Sequence, residues 1–437
     1  MKRIVLATLF SSLVWTHSAA AMDLMAVYRL AQQSDLQLQT SMSQLASVRE
    51  SRNQSTAALR PNISLNGQAK MVNSEIVGGF WPTSTDDYSE QSLTLNLQQP
   101  LYYRNYWIQL EQSDLAIAKA EAEYQSASLE LMVRTTQAYF DVLSASDDLR
   151  VSKAQLEATQ RQLDQAKQRF EVGLIAITDV HEAQATFDRD RAGTIQAENA
   201  EDNSKEALLE ILGGGEVSNL AALGESMVLS KPSPDNVEKW STTAQQQNYS
   251  IIAARSTIEQ ARNVVALKKA GHHPTVDLVG SYGVSRTDSE RGSDMNIGMI
   301  GIQLSVPLYA GGGTSSRVTQ AQIDLTTAQS SLDRQRRAVK RQVRSAYRGV
   351  ISSVSQVEAL YAATVSAESA FTSTQAGYEV GTRTIVDVLG VQRNLFDSQR
   401  NYYQSRYAFI LNGLQLKQAA GTLSQADLEQ VNSWLVK

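Results

Sequence analysis

No cysteine occurs anywhere in the 437 residues. That excludes disulfides, thiolate metal ligands, thiol nucleophiles and a lipidated N-terminal Cys together. Proline is scarce as well: seven in the whole chain, which suits long uninterrupted helices. Long apolar runs are lacking too. Beyond the N-terminal segment none approaches the ~20 residues a spanning helix needs. The mature chain is therefore either soluble or crosses a membrane as a β-barrel, the other way to satisfy backbone groups in lipid. Barrels of that kind belong to outer membranes of Gram-negative cells. No Ser-His-Asp arrangement, paired-carboxylate site or phosphate loop stands at diagnostic spacing, so neither an enzyme nor a cofactor is indicated. His272-His273 beside Pro274 has no third metal ligand, and His181 reads as a surface residue.

What is present begins with Met1-Lys2-Arg3, an apolar Ile4–Trp15 and Ala19-Ala20-Ala21. This is the n-region, h-region and cleavage site of a secretory signal peptide over 1–21. Its removal takes away Lys2 and Arg3 and moves the formal charge from −5 to −7, a mildly acidic balance that argues against nucleic acid.

The chain then repeats itself at an offset of about 208 residues. Pro100-Leu101-Tyr102 recurs as Pro307-Leu308-Tyr309, and Ala138-Tyr139 as Ala346-Tyr347. Arg169-Phe170-Glu171-Val172-Gly173 recurs as Gly377-Tyr378-Glu379-Val380-Gly381, followed by Asp179-Val180 and Asp387-Val388, then Gln184 and Gln392. A fold built twice is the direct reading.

Each repeat, 22–212 and 241–420, carries two alternating segments. In the first, strands are predicted at about 61–73 and 90–101: Ile63, Leu65, Gly67, Ala69 and Met71 form one face, and Leu93, Leu95 and Leu97 another. Between them a polar loop contains Gly78-Gly79 and Asp86-Asp87. In the second, strands fall at about 275–287 and 295–309, with Val276, Leu278, Gly280, Tyr282 and Val284 on one face and Ile300, Ile302, Leu304 and Val306 on the other strand. Asn296-Ile297-Gly298-Met299 breaks phase, as a bulge would. Length and alternation fit transmembrane barrel strands, and Tyr102, Tyr103, Tyr106 and Trp107 suit an aromatic girdle. A hairpin packed on a soluble core is the plainer account.

Helices are predicted at 23–58, 105–172, 178–211, 241–271, 314–380 and 385–420. Tyr106–Phe170 holds no proline or glycine, a rod of about 95 Å at the helical rise. Val142, Leu149, Leu156, Leu163 and Phe170 are seven apart, with small Ala145, Ser152, Thr159 and Ala166 three later. Val343, Val350, Val357, Thr364, Phe371 and Tyr378 repeat the period. Such a period implies left-handed supercoiling with close backbone approach. Each rod ends at Val-Gly and turns back into a returning helix. Residues 213–240, with Gly213-Gly214-Gly215 and Lys231-Pro232-Ser233-Pro234, read as an inter-repeat segment, and 421–437 as a tail folded against it. Four strands cannot close a barrel, so protomers must share one; pattern alone allows two, three or four.

At these residues, and above all at Arg169–Leu174, Ala176–Val180 and Gly381–Leu389, the chain resembles the TolC family of outer-membrane channel-tunnels, the outer membrane factors. The resemblance runs over essentially the whole mature chain. It implies a mainly α homotrimer in which four strands per protomer make one 12-stranded barrel continuing into a periplasmic α-helical tunnel. It implies a passive exit duct of tripartite drug efflux or type I secretion, served by a periplasmic adaptor and an inner-membrane efflux or ABC transporter. A soluble periplasmic coiled-coil adaptor or scaffold is the rival; it explains the helices but not the four strands.

The resemblance also implies residue roles. Thr178 and Asp179 on one hairpin would meet Tyr378 and Arg383 on the other as a closed gate, a few charge-assisted bonds of about 1.5–3 kcal/mol each. The plainer reading makes Asp179 a helix N-cap and Arg383 a solvated charge. Asp387 would line the lumen as a ring of carboxylates attracting cations. The family pattern carries a second aspartate three positions on, where this chain has Gly390, which implies a weaker cation site. Gly173 and Gly381 would seat adaptor hairpins; a C-terminal helix cap is their plainer role.

Overall fold

The structure is a computed structural model, describing residues 21–77, 84–217, 219–290 and 292–436. The signal-peptide assignment, through residue 20, and Gly78-Gly79 lie outside the described residues. The chain divides into two compact units. One is built from residues up to Gln39, Ser128–Ala244 and Arg341 onward; the other from Thr40–Ala127 and Gln245–Lys340.

The second of these holds four strands: β1 (Asn62–Ile76), β2 (Ser84–Tyr102), β3 (Thr275–Thr287) and β4 (Met295–Ser305). They form one antiparallel sheet in the order β1-β2-β3-β4. Period-2 alternation dictates its faces. Ile63 lies opposite Leu97, Leu65 opposite Leu95, Leu95 opposite Tyr282, and Gly280 opposite Ile300. On this face Ile63, Leu65, Leu93, Ile300 and Ile302 are each half or more exposed. The other face carries Ser64, Asn66, Asn96, Thr94 and Ser281. Tyr282 lies across from Gly298, where its ring edge sits 3.5 Å from the position a Cβ would take, covering the glycine as aromatics do in sheets.

Two sequence expectations are corrected here. Asp86-Asp87 is not in a loop: β2 starts at Ser84 and pairs Asp86 with Ser74 and Asp87 with Asn73. The apolar pattern ends before the backbone ladder does, because pairing needs only N–H and C=O groups. Asn296–Met299 is not a bulge, since β3–β4 register is unbroken from Thr275–Ser305 to Ser285–Met295. The phase break instead puts Met295, Ile297 and Met299 on the otherwise polar face. The register shift falls between Pro100 and Tyr102, where proline cannot donate to the ladder.

The helices are α1 (Leu24–Ser34), α2 (Leu36–Ala57), α3 (Arg104–Glu171), α4 (Ile177–Leu212), α5 (Val237–Gln247), α6 (Tyr249–Lys269), α7 (Gly313–Glu379), α8 (Ile385–Ala420) and α9 (Gln425–Asn432). The expected helices 23–58 and 241–271 are each interrupted. Asp35 stops α1 and caps α2, accepting from Leu38 N at 2.7 Å. Its second oxygen pairs with Arg134 at 2.7 Å. Asn248 does the same between α5 and α6, accepting from Ser250 N at 3.0 Å. Each Asx side chain supplies the N-cap oxygen that orphaned amides require.

The heptad positions form the seams. Val142, Leu149 and Leu163 are buried on α3, as are Val343, Val350 and Val357 on α7. Thr159 and Ala166 are buried beside them. Close approach is visible where Thr194 Oγ1 of α4 donates to Ser152 O of α3 at 3.4 Å, and Thr364 Oγ1 of α7 to Ser398 O of α8 at 3.2 Å.

The repeated tyrosines anchor the 213–240 segment. Tyr139 donates to Ala221 O at 2.8 Å, and burial pushes its phenol far up. Tyr347 donates to the Asp235 carboxylate. The tail runs alongside: Leu223 bridges Leu435, and Gly224 N donates to Trp434 O at 2.8 Å.

Candidate gate at the Val-Gly turns

Both long hairpins reverse by the same backbone device. Gly173 and Gly381 sit at φ 77° and 79°. Leu174 N donates to Arg169 O at 2.8 Å, and Thr382 N to Gly377 O at 2.8 Å, closing the last helical turn as a Schellman motif does. The positive φ demands glycine. At both positions the space a Cβ would occupy is open, with no atom within 4 Å.

The two hairpins meet beside these turns. Leu163, Ala166 and Ala183 from α3 and α4 share one buried cluster with Tyr378 of α7 and Ile385, Val388 and Leu389 of α8; Ile175, Val180, Phe187 and Phe371 pack against it. Tyr378, only 6 % exposed, has the Arg169 guanidinium 4.6 Å from its ring centroid. Its hydroxyl is buried and has no hydrogen-bond partner among the described residues. A buried phenol usually finds one.

The turns differ in how the returning helix starts. In α8, Thr384 is the N-cap and closes a capping box with Asp387. Asp387 accepts from Thr384 N and Oγ1 at 2.9 Å each. These bonds, the backbone one first, and then Arg383 hold the Asp387 carboxyl below its ordinary range. In α4 the N-cap is Ala176, whose methyl group offers no acceptor. Asp179 occupies the same first-turn place as Asp387 but has no capping partner. Asp179 is thus not the N-cap of the plainer reading. Thr178 beside it is exposed.

Arg383 lies back over the end of α7, its Cγ 2.8 Å from where a Gly377 Cβ would stand. Among the described residues of the single chain, no hydrogen bond or ion pair joins Arg383 or Tyr378 to Asp179 or Thr178. The structure brings the four onto neighbouring hairpin ends without linking them.

A further tie went unread in the sequence. Arg400 of α8 lies 3.1 Å from Asp148 of α3 and 3.0 Å from Asp397. It also donates to Gln155, whose amide donates to the buried Asp190 of α4 at 3.0 Å. Charge-assisted bonds thereby connect three helices. Gln155 stands 245 residues from Arg400 in the chain, so no local pattern announced the pair.

No group of acidic or histidine side chains able to hold a metal ion occurs among the described residues. Nor is any described helix long and apolar enough to cross a membrane.

Comparison with known proteins places this geometry. The sequence model of outer membrane efflux proteins matches residues 27–214 and 240–422. Outer membrane protein TolC of Vibrio cholerae is 39 % identical over 430 residues, 97 % of this chain and 95 % of that protein. Alkaline protease secretion protein AprF of Pseudomonas aeruginosa is 28 % identical over 433 residues, covering 96 % and 88 %. The solved Campylobacter jejuni CmeC outer membrane channel superposes with a TM-score of 0.81 at 15 % identity, over 100 % of this chain and 98 % of that one. With two matched repeats, four shared strands and two long helical hairpins, the chain belongs to the outer membrane efflux protein family.

Proposed function

We propose that the protein is a passive exit duct of the outer membrane, serving drug efflux, type I secretion or both. The observation that carries this is the sheet: four long strands with an exposed apolar band on one face, an opposite face polar apart from the start of β4, and two edges, β1 and β4, unpaired among the described residues. Four strands cannot close, and an apolar outer face with polar inner face is the pattern of a barrel in lipid. Three protomers would supply 12 strands, edge to edge. A soluble adaptor or scaffold leaves that band unexplained, and an enzyme would need a reactive cluster.

In this reading the Val-Gly tips form the gate. Asp179, free of its own helix cap, receives Arg383 and Tyr378 when the hairpins close, with Thr178 as a second acceptor. Tyr378 brings an unpartnered hydroxyl and Arg383 a guanidinium without an ion pair among the described residues. Asp387, pinned by Thr384, presents a ring of carboxylates to the lumen. Gly173 and Gly381 leave open surface for a periplasmic adaptor hairpin, which would link the duct to an inner-membrane transporter. Relatives named for protease secretion and for efflux support both kinds of cargo system. Planar-bilayer conductance of the detergent-extracted protein tests the reading: a small, steady conductance is expected. Absence of conductance from a protein that stays soluble without detergent would overturn it.

A further inference from the structure

Next to the tip core, α3, α7 and α8 enclose a cleft of about 310 Å³. This is the lower end of the range small-molecule pockets occupy, ~300–1,000 Å³. Its walls include Phe371, Leu395 and Phe396. Two buried amides line it: Gln392 on α8, 2 % exposed, and Gln162 on α3, 8 % exposed. Among the described residues neither Oε1 nor Nε2 of Gln392 has a hydrogen-bond partner, and Gln162 Oε1 has none. Buried amides without partners are costly and uncommon. The repeat-related Gln184 shows the ordinary arrangement: it is only partly buried and donates to Asp188 at 3.1 Å. At the cleft's rim Arg161 and Glu157 pair at 2.5 Å, so the mouth carries little net charge.

The three open groups are two acceptors and one donor. A primary carboxamide carries the complement, two N–H donors and one C=O acceptor. We propose that this cleft is a binding site for a neutral primary carboxamide borne on an aromatic or apolar ring. The amide would receive Gln392 Nε2 on its oxygen and give one N–H each to Gln392 and Gln162. The ring would lie against Phe371, Leu395 and Phe396. Bound there, such a ligand joins α3 to α8; this consequence for the gate rests on the duct reading, whereas the site itself does not.

The test is ligand-observed NMR and calorimetric titration of the detergent-solubilised full chain with benzamide. Benzoate and N,N-dimethylbenzamide, which lack the two N–H donors, are the controls. Saturable benzamide binding, at least tenfold tighter than either control and lost in both Gln392→Met and Gln162→Met, is expected. Methionine is close in shape and removes unpaired polar atoms, so both variants should fold with unchanged or raised melting temperature. No benzamide binding, equal affinity for all three compounds, or undiminished binding in Gln392→Met would overturn the proposal. In bilayers, benzamide should lower the conductance of a loosened-tip variant. Binding without that effect removes the gating consequence alone, while absence of any channel fails the duct reading and leaves the site standing.

Discussion

The two Val-Gly turns share a backbone and differ in their side chains. Each ends in a left-handed glycine with open space beside it. Yet position for position, Thr384 corresponds to Ala176, Asp387 to Asp179, and Tyr378 to Phe170. In the second hairpin the aspartate is consumed by its own helix cap. In the first the cap hydroxyl is missing, and the aspartate makes no cap bond among the described residues. Phe170 is 41 % exposed, while Tyr378 is buried with an unused hydroxyl. Duplication supplied two copies of one turn. A single missing hydroxyl separates the copy that stabilises its own helix from the copy free to bind across helices.

The largest effect should come from removing the donors proposed to meet the first turn's aspartate. Tyr378→Phe combined with Arg383→Ser is expected to raise single-channel conductance several-fold, and unchanged conductance would count against the gate. A sharper test restores the missing symmetry. Ala176→Thr should build a second capping box and draw Asp179 into it. A smaller rise in conductance should then accompany a helix start steadier by about 1 kcal/mol. If conductance stays at the wild-type level, Asp179 is not a gate acceptor.

The shared backbone predicts equal behaviour where the turns are alike. Gly173→Ala and Gly381→Ala should each destabilise by roughly 1–2 kcal/mol, the cost of a left-handed non-glycine residue, read by denaturant unfolding. A marked difference between them would show that one turn is not the Schellman closure described. The smallest effect concerns pH. The Asp387 pKa is lowered on folding, so its cap stabilisation is complete above the ordinary carboxylate pKa and is lost only as pH falls through the lower folded value. Cation block of the channel should therefore persist below the ordinary carboxylate pKa of about 4. Thr384→Ala should move its loss to higher pH.

Much of this was legible because packing periodicities are written in the chain. Val343, Val350 and Val357 announced a seam seven residues apart, and they are buried. Ile63 and Leu65 announced a face two apart. What escaped were features without a period. Asp35 and Asn248 interrupt helices by one capping oxygen each, a signal present as an Asx before an apolar residue but easily lost within a longer pattern. The polar ends of β1 and β2 pair through a backbone ladder that needs no apolar pattern, with Asn73 donating to the Asp87 carboxylate across it. Met295, Ile297 and Met299 change face without changing register. The gate residues were named through resemblance, since nothing in Asp179 or Arg383 taken singly marks them. The cap asymmetry that separates Asp179 from Asp387 was readable in Ala176 against Thr384, once the repeat was aligned.

The open edges of the sheet bear on how the protein comes into being. If protomers share one barrel as proposed, a lone chain beforehand exposes two rows of backbone amides and carbonyls unanswered among the described residues, with an apolar face between them. Such edges are templates for indiscriminate strand pairing. Maturation is therefore a race that depends on concentration: correct neighbours must arrive before wrong ones. Yield should fall when synthesis outruns the machinery that delivers chains to the membrane, even for a sequence whose helices fold without fault.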